Sequence, residues 1–346
     1  MRKMLNTLYV TTPEAYVSRD GDNVVVSVDK EERLRVPIIN LEGIVTFGYM
    51  GASPGVMKLC VDHGVALSFL TPSGRFIASL SGPTRGNVLL RREQYRVAGD
   101  AVAALRLARI MTAAKIKNGR SVLQRRMRDH GPDPDVEASI CAMAASKRHA
   151  LTAVNADELR GYEGEAANAY FGVFDHLIVQ QKGCFSFDGR NRRPPRDPVN
   201  AMLSFAYALL ASDVSAALET VGLDPCVGFL HTVRPGRKSL ALDVMEELRA
   251  YVADRFVLSI INRRQIDGGG FTVRDDGVTM TDLARKAFIK AWQLRKQDQV
   301  THPFMGEKIP IGLLPYAQAM LLARHLRGDL DDPQEDGRHG VRDAAG

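Results

Sequence analysis

Along the first 90 residues, hydrophobic and polar positions alternate with a period of two. The runs cover residues 7–11, 23–28, 35–39, 43–47, 65–70 and 76–80, separated by turn chemistry such as Arg19-Asp-Gly-Asp22 and Pro72-Ser-Gly-Arg75. This pattern predicts strands. One short helix interrupts them: Ser53 caps it, Pro54 takes its first position and Gly64 stops it, leaving Val56, Leu59, Cys60 and Val61 as its apolar face. After about Gly99 the period lengthens to 3.6, and helices are predicted over 101–128, 136–145, 156–181, 198–221, 241–258, 281–297 and 312–327. Asp197 and Pro198 mark the start of the fourth. A small hairpin is expected around Asp275-Asp-Gly277. The fold class is therefore α+β. A small N-terminal β domain with one short helix (1–95) precedes a larger all-α catalytic domain (96–326). The remainder (327–346), charged and poor in large apolar groups, is expected to be a disordered tail.

Length agrees with this division, since 346 residues at about 150 per domain make two domains or one large one. A hydrophobic content of 45% with 25% charged residues excludes collagen-like and wholly disordered chains. The cysteines (Cys60, Cys141, Cys184, Cys226) form no C-x-x-C pair, which argues against a zinc ribbon or a disulfide framework and for a reducing, cytoplasmic setting. The start lacks the apolar core of a signal peptide, and no run approaches 18 apolar residues, so no membrane association is expected. The net charge of +6 is small, but it is grouped. Arg106, Arg109, Lys115, Lys117, Arg120, Arg125, Arg126 and Arg128 stand on 101–128 without an acid. Arg190, Arg192, Arg193 and Arg196 form a second group, Arg234, Arg237 and Lys238 a third, and Arg263-Arg264 a fourth. Such groups favour a polyanionic partner, because each phosphate neutralised releases condensed counterion.

Several common sites are absent from the sequence. It has no G-x-x-x-x-G-K-[ST], no H-E-x-x-H and no G-x-S-x-G. A polar set remains within otherwise apolar segments. Glu163 lies in Gly161-Tyr-Glu-Gly164, and His231 ends the apolar stretch Val227-Gly-Phe-Leu-His231. Asp243 and Glu246, three apart on a helix, project from one face, and Glu247 is expected to share it with Asp243. Each acid also has an ordinary explanation as a partner of a helix dipole, and His231 as a hydrogen-bonded structural residue. Two or three carboxylates and one imidazole beside phosphate-attracting groups suit Mg²⁺ or Mn²⁺ better than zinc.

These motifs resemble one family. Gly161-Tyr-Glu-Gly164, Phe229-Leu-His-Thr232 and Ser239-Leu-Ala-Leu-Asp-Val-Met-Glu246 are together similar to the CRISPR-associated spacer integrase, the endonuclease first in the numbering of the Cas proteins. The stretch Arg190-Asn-Arg-Arg-Pro-Pro-Arg-Asp-Pro-Val-Asn-Ala-Met-Leu-Ser-Phe-Ala-Tyr207 is similar to the family's signature segment. The likeness spans roughly residues 5 to 325. It implies metal ligation by Glu163, His231 and Glu246, with Asp243 a further candidate catalytic residue, directly or indirectly ligating. It also implies that Tyr207 assists the chemistry or packs beside it. DNA contacts would fall to Arg190, Arg192, Arg193, Arg196, Arg237 and Lys238, with Asn200 orienting a ligand or the DNA. Double-stranded DNA (prespacer and CRISPR repeat), a homodimer paired through its β domains, the second-numbered Cas protein and a prespacer-trimming nuclease are the implied partners. The implied activity joins 3′-hydroxyl ends of captured DNA to the repeat. A metal-bound imidazole must be neutral, so activity is expected to fall below about pH 6. A non-catalytic architectural DNA-binding scaffold is the alternative.

Overall fold

The computed structural model describes residues 6–12, 14–72, 76–80, 87–191, 194–275 and 277–330. The expected tail beyond Leu330, and Arg192 and Arg193, lie outside the described residues. Two compact units make up the chain, Met1–Arg85 and Gly86–Gly346.

The first unit carries β1 (Thr7–Val10), β2 (Tyr16–Asp20), β3 (Asn23–Val28), β4 (Glu31–Pro37), β5 (Gly43–Phe47), α1 (Pro54–His63), β6 (Ala66–Leu70) and β7 (Phe76–Ser79). One sheet has the order β1-β5-β6-β7, parallel except for β7, and an antiparallel β2-β3-β4 sheet completes the unit. Parallel β5 and β6 need a crossover, and α1 supplies it. Its ends form as the sequence predicts: the Ser53 hydroxyl accepts from Val56 N at 3.2 Å, and Gly64 closes the helix at φ 68°. Val56, Leu59 and Cys60 then pack into a core with Val17, Val24, Ile38, Ile44 and Leu67.

The second unit is helical: α2 (Val88–Gly99), α3 (Ala101–His130), α4 (Pro134–Thr152), α5 (Ala156–Gly172), α6 (Pro198–Val221), α7 (Ser239–Leu248) and α8 (Arg255–Asn262). A hairpin of β8 (Phe271–Arg274) and β9 (Gly277–Met280) leads to α9 (Asp282–Gln297), the short pair β10 (Gln299–Thr301) and β11 (Lys308–Pro310), and α10 (Leu314–Leu326). α3 packs on α4, α5 and α7, and α6 on α7 and α10. By length and composition α6 is apolar enough to cross a membrane, yet 61% of its most apolar window is buried within the protein.

The structure departs from the hydrophobic pattern in two places that matter for the site. The helix expected over 156–181 stops at Gly172 and gives way to a 3₁₀ turn, Phe174–Leu177. The helix expected over 241–258 is interrupted by a π-helical turn, Arg249–Asp254, between α7 and α8. Such turns widen the helix by one residue and re-aim its side chains.

Candidate metal centre

The centre is assembled on α7. Asp243 is wholly buried. Its Oδ2 accepts from the backbone N–H of Phe229 (2.6 Å) and Leu230 (3.0 Å), and its Oδ1 from His231 N (2.9 Å) and His231 Nδ1 (2.6 Å). One carboxylate therefore ties down the whole loop that carries the imidazole. The loop can approach this closely only because residue 228 is glycine: a Cβ there would lie 2.5 Å from Asp243 Oδ2 and 2.8 Å from the Ser239 carbonyl carbon. With Nδ1 engaged by Asp243, Nε2 is the nitrogen left for a ligand, and it lies 3.9 Å from Glu246 Oε1.

Glu246 is the hub of the centre. Arg249, one turn on, brings Nη2 to 3.0 Å of Oε1, and Lys115 from α3 brings Nζ to 2.8 Å of Oε2. Burial opposes ionisation of Glu246, but Arg249 and then Lys115 outweigh it and hold the carboxyl at about 2. The Lys115 ammonium also donates to Glu163 Oε1 on α5. Burial disfavours its charge, yet Glu246 and Glu163 prevail and push its pKa up. Glu163, Lys115, Glu246 and His231 thus form one continuous line of contacts. Segments up to 131 residues apart, counted from Lys115 to Glu246, meet there.

A second layer lies behind the hub. The guanidinium groups of Arg190 (5.2 Å) and Arg249 (4.8 Å) both lie over the ring of Tyr207 on α6, whose hydroxyl donates to Asp254 Oδ1 at 2.6 Å. Tyr170 donates to Asp254 Oδ2 at 3.1 Å. Burial and the neighbouring Asp254 push the Tyr207 phenol well above its usual range. Burial likewise lifts the Asp254 carboxyl to about 6, against the Tyr207 hydrogen bond and Arg249. A phenol held this way orients Arg249 and is a poor base.

The expected DNA contacts divide. Asn200 is wholly buried: its amide donates to Gly189 O (2.9 Å) and Asp197 Oδ2 (2.7 Å), and its Oδ1 accepts from Arg190 (2.6 Å) and Asn191 N (3.1 Å). It has no surface to offer DNA and instead folds the loop before α6. Arg190 is tied into that network and to Ser204 Oγ at 3.1 Å. Arg196 is exposed, Arg237 is half-buried, and Lys238 lies 3.8 Å from Glu219. The basic run on α3 is also less open than expected. Arg109 donates to Ala153 O, Arg120 to Ile140 O and Arg126 to His176 O and Gly131 O, so these bases bind neighbouring backbone. Glu247 departs from Asp243 altogether. It accepts from Gln318 at 2.7 Å and lines an apolar cavity with Leu107, Met111, Val244 and Leu322 on another side of α7.

Sequence reasoning missed Lys115, Arg249 and Asp254 as parts of the centre. Lys115 carried a readable signal. It falls on the buried stripe Ala108, Thr112, Gly119, Val122 of α3, at the position where an apolar residue belongs. Two further features lie elsewhere. A cavity of about 250 Å³ is lined by Arg125, Arg126, Arg255, Arg263 and Arg295, with Asp129 and the ends of α3 and α8. Asp133, Asp135 and His176 bring ligand atoms within 4.8 Å of one another. Asp133 Oδ1, however, caps α4, and Oδ2 already receives His176 (2.9 Å) and Arg126 (3.2 Å), which leaves a guanidinium where a cation would sit.

Two carboxylates and one imidazole nitrogen are a hard donor set suited to Mg²⁺ or Mn²⁺. Among the described residues the ligand atoms of Glu163, Glu246 and His231 do not all lie within 4.8 Å of one another, so an ion would have to draw them in, and two observations bear on that. A cation, the Lys115 ammonium, already stands between Glu163 and Glu246. Glu246 Oε2 is buried and, although close to that ammonium, accepts no aligned hydrogen bond.

Comparison with known proteins gives one consistent answer. The sequence profile of the family "CRISPR associated protein Cas1" matches residues 8–294. A CRISPR-associated endonuclease Cas1 of Chlorobaculum tepidum is 49% identical over 335 residues, covering 96% of this chain and 98% of its own. Among solved structures, a Cas1 protein from Thermotoga maritima has a TM-score of 0.83 at 22% identity, covering 96% of this chain and all of that one. A casposase bound to integration product gives 0.80 at 22% identity over 96% of this chain and 94% of its own. A Cas6-RT-Cas1–Cas2 complex gives 0.81 at 20% identity over 96% of this chain and 36% of that one. At these identities the structures speak for the fold.

Proposed function

The chain belongs to the Cas1 family of CRISPR-associated proteins, and on that premise we propose that it is a metal-dependent DNA endonuclease and integrase of spacer acquisition. The observation that carries this reading is the unbroken line Glu163–Lys115–Glu246–His231, drawn from three helices and one loop.

Glu163, Glu246 and His231 Nε2 would hold Mg²⁺ or Mn²⁺, which supplies polarisation of a phosphoryl oxygen and stabilisation of the leaving oxyanion. The reaction is a phosphodiester exchange. The oxygen of a 3′-hydroxyl on captured DNA bonds to phosphorus in the repeat, the bond from that phosphorus to the repeat's own 3′-oxygen breaks, and the hydroxyl proton passes to the departing oxygen through solvent. One ester forms as one is lost, so no nucleotide hydrolysis is needed. Water in place of the 3′-hydroxyl gives a nick. Asp243 holds His231 in the tautomer with Nε2 open. Arg249, fixed against Tyr207, keeps Glu246 charged. The exposed Arg196 and the half-buried Arg237 and Lys238, together with Arg255 and Arg263 of the arginine-lined cavity, would hold phosphate backbone independently of sequence.

Double-stranded prespacer and repeat DNA are the substrates in this reading, in a cytoplasmic setting consistent with four free cysteines. The chain would act as a homodimer with a Cas2 protein, and with a nuclease that trims prespacers. Leu34, Ile39, Tyr49, Met50, Phe76 and Ile77, all exposed on the first unit, support pairing through it.

Nicking and strand transfer on a branched duplex with Mn²⁺ test the reading. Glu163→Ala and His231→Ala should each lose at least about 100-fold in rate, while DNA binding stays near wild type. Wild-type rates in both variants would remove the metal centre and leave a scaffold that binds DNA without cutting it.

A further inference from the structure

We propose that Lys115 is a displaceable counter-cation of the metal centre: its ammonium holds Glu163 and Glu246 together in the metal-free chain and gives up that place when a divalent ion enters. The inference rests on the ligand set proposed above and concerns how that set is kept ready.

Three helices supply the three groups, Lys115 from α3, Glu163 from α5 and Glu246 from α7. Without a cation between them, two carboxylates brought together in a shielded site would repel each other and spread α5 from α7. The ammonium prevents this. It touches both acids, with 19% of its side chain exposed, against 27% for Glu163 and 6% for Glu246. It lies 2.8 Å from Glu246 Oε2 and donates to Glu163 Oε1, so its place is held by these two acids, which are the groups a divalent ion would claim.

The second cation at the hub is not equivalent. Arg249 is pinned, with its guanidinium stacked on Tyr207 at 4.8 Å and paired with Glu246 Oε1 at 3.0 Å. Lys115 hangs on a flexible four-carbon stem. The charges require that one of the two give way, and the pinned Arg249 leaves Lys115 to do so. Two carboxylates against Lys115 and Arg249 sum to zero, and a divalent ion added to that set would leave two positive charges uncompensated. Withdrawal of Lys115 halves the excess. A resident cation also reduces the fraction of molecules ready for the ion, so apparent affinity falls by that fraction.

Mn²⁺ titration of the full chain, followed by electron paramagnetic resonance and calorimetry at one pH, tests this directly. Lys115→Met should bind Mn²⁺ at least about tenfold more tightly than wild type. Its metal-free melting temperature should fall, and the rise on adding Mn²⁺ should grow. Lys115→Gln, which keeps a polar contact to the acids, serves should the methionine variant fail to fold and should show the same directions. Lys115→Arg, a bulkier cation with more donors, should weaken binding. A purely structural lysine would lower stability without tightening Mn²⁺. Unchanged or weaker binding in both neutral variants overturns the proposal. Glu163→Gln and His231→Ala, titrated alongside, separate the two levels of inference. If they abolish Mn²⁺ binding while the Lys115 variants leave it unaltered, only the counter-cation idea fails. If they bind Mn²⁺ as wild type does, the ligand assignment itself fails.

Discussion

Glu246 and Glu247 are adjacent on α7 and chemically identical, yet they inhabit opposite worlds. Glu246 faces Arg249 and Lys115 and is held at about 2. Glu247 looks into the apolar cavity with Leu107, Met111 and Val244, where burial pushes it up to about 8 against only a weak pull from Lys117. Burial raises both, so the difference lies in the company each side chain keeps. The lesson is that the centre's charge is made by cations delivered from α3 and the π-helical turn, and an acid on the same helix without them is protonated at neutral pH.

Substitution of the two acids is the sharpest test of that contrast. Glu246→Gln leaves Arg249 and Lys115 short of countercharge, and a loss of roughly 3 kcal/mol with abolished nicking is expected. The Glu246 contribution is fully present above about pH 4.5 and is lost as pH falls towards 2, so the variant's deficit in denaturant melts should shrink in acid. A deficit independent of pH would place the cost in packing. Gly228→Ala attacks the same face from behind, by forcing the His231 loop off Asp243. Overpacking of about 2 kcal/mol and loss of activity are expected, visible as a lower melting temperature. Glu247→Gln should do the reverse. In the folded chain this carboxyl stays protonated until about pH 8, whereas in the unfolded chain it ionises near 4.5, so wild type loses stability as pH rises between those values. The variant escapes that loss and should be stabler at pH 8 and no different near pH 4. Equal melts at pH 8 would mean that Glu247 is already ionised.

The smallest effect is expected away from α7. Neutralising Arg255 and Arg263 in the arginine-lined cavity should weaken DNA binding about three- to tenfold and reduce the salt slope by about 0.9 for each phosphate left without its guanidinium, with Mn²⁺ affinity unchanged. A change in Mn²⁺ affinity would show that the cavity and the metal centre are one electrostatic unit.

Much of this could be read along the chain, wherever a local rule operates. Ser53, Pro54 and Gly64 delimit α1, and Asp197 with Pro198 starts α6, because caps act within one turn. Glu163, Asp243, Glu246 and His231 stood out as polar groups inside apolar segments. What failed depended on distant partners. β2, Tyr-Val-Ser-Arg-Asp, contains two charges and forms because β3 pairs with it along its whole length. α2 begins at Asn87 with no side-chain cap and a largely polar sequence, and is stabilised by Gln94 reaching Asp224 O and Val227 O at 2.8 Å. Lys115, read as one more base in an acid-poor run, belongs to the site through two acids that are 48 and 131 residues away in sequence. Asn200, read as orienting a ligand or the DNA, makes its hydrogen bonds to Arg190, Asn191, Gly189 and Asp197 in the loop before α6.

The wide turn at Arg249–Asp254 has a consequence for how this chain can vary. An α-helix advances about 100° per residue, and this turn holds one residue more than α-helical register needs, so deleting one position there would close the helix into regular geometry and rotate the side chains within the turn by about that angle. Arg249 would keep its place beside Glu246, while Asp254 would lose phase with the two tyrosines. Side-chain replacements in this segment are graded changes, but a shortened backbone would not be.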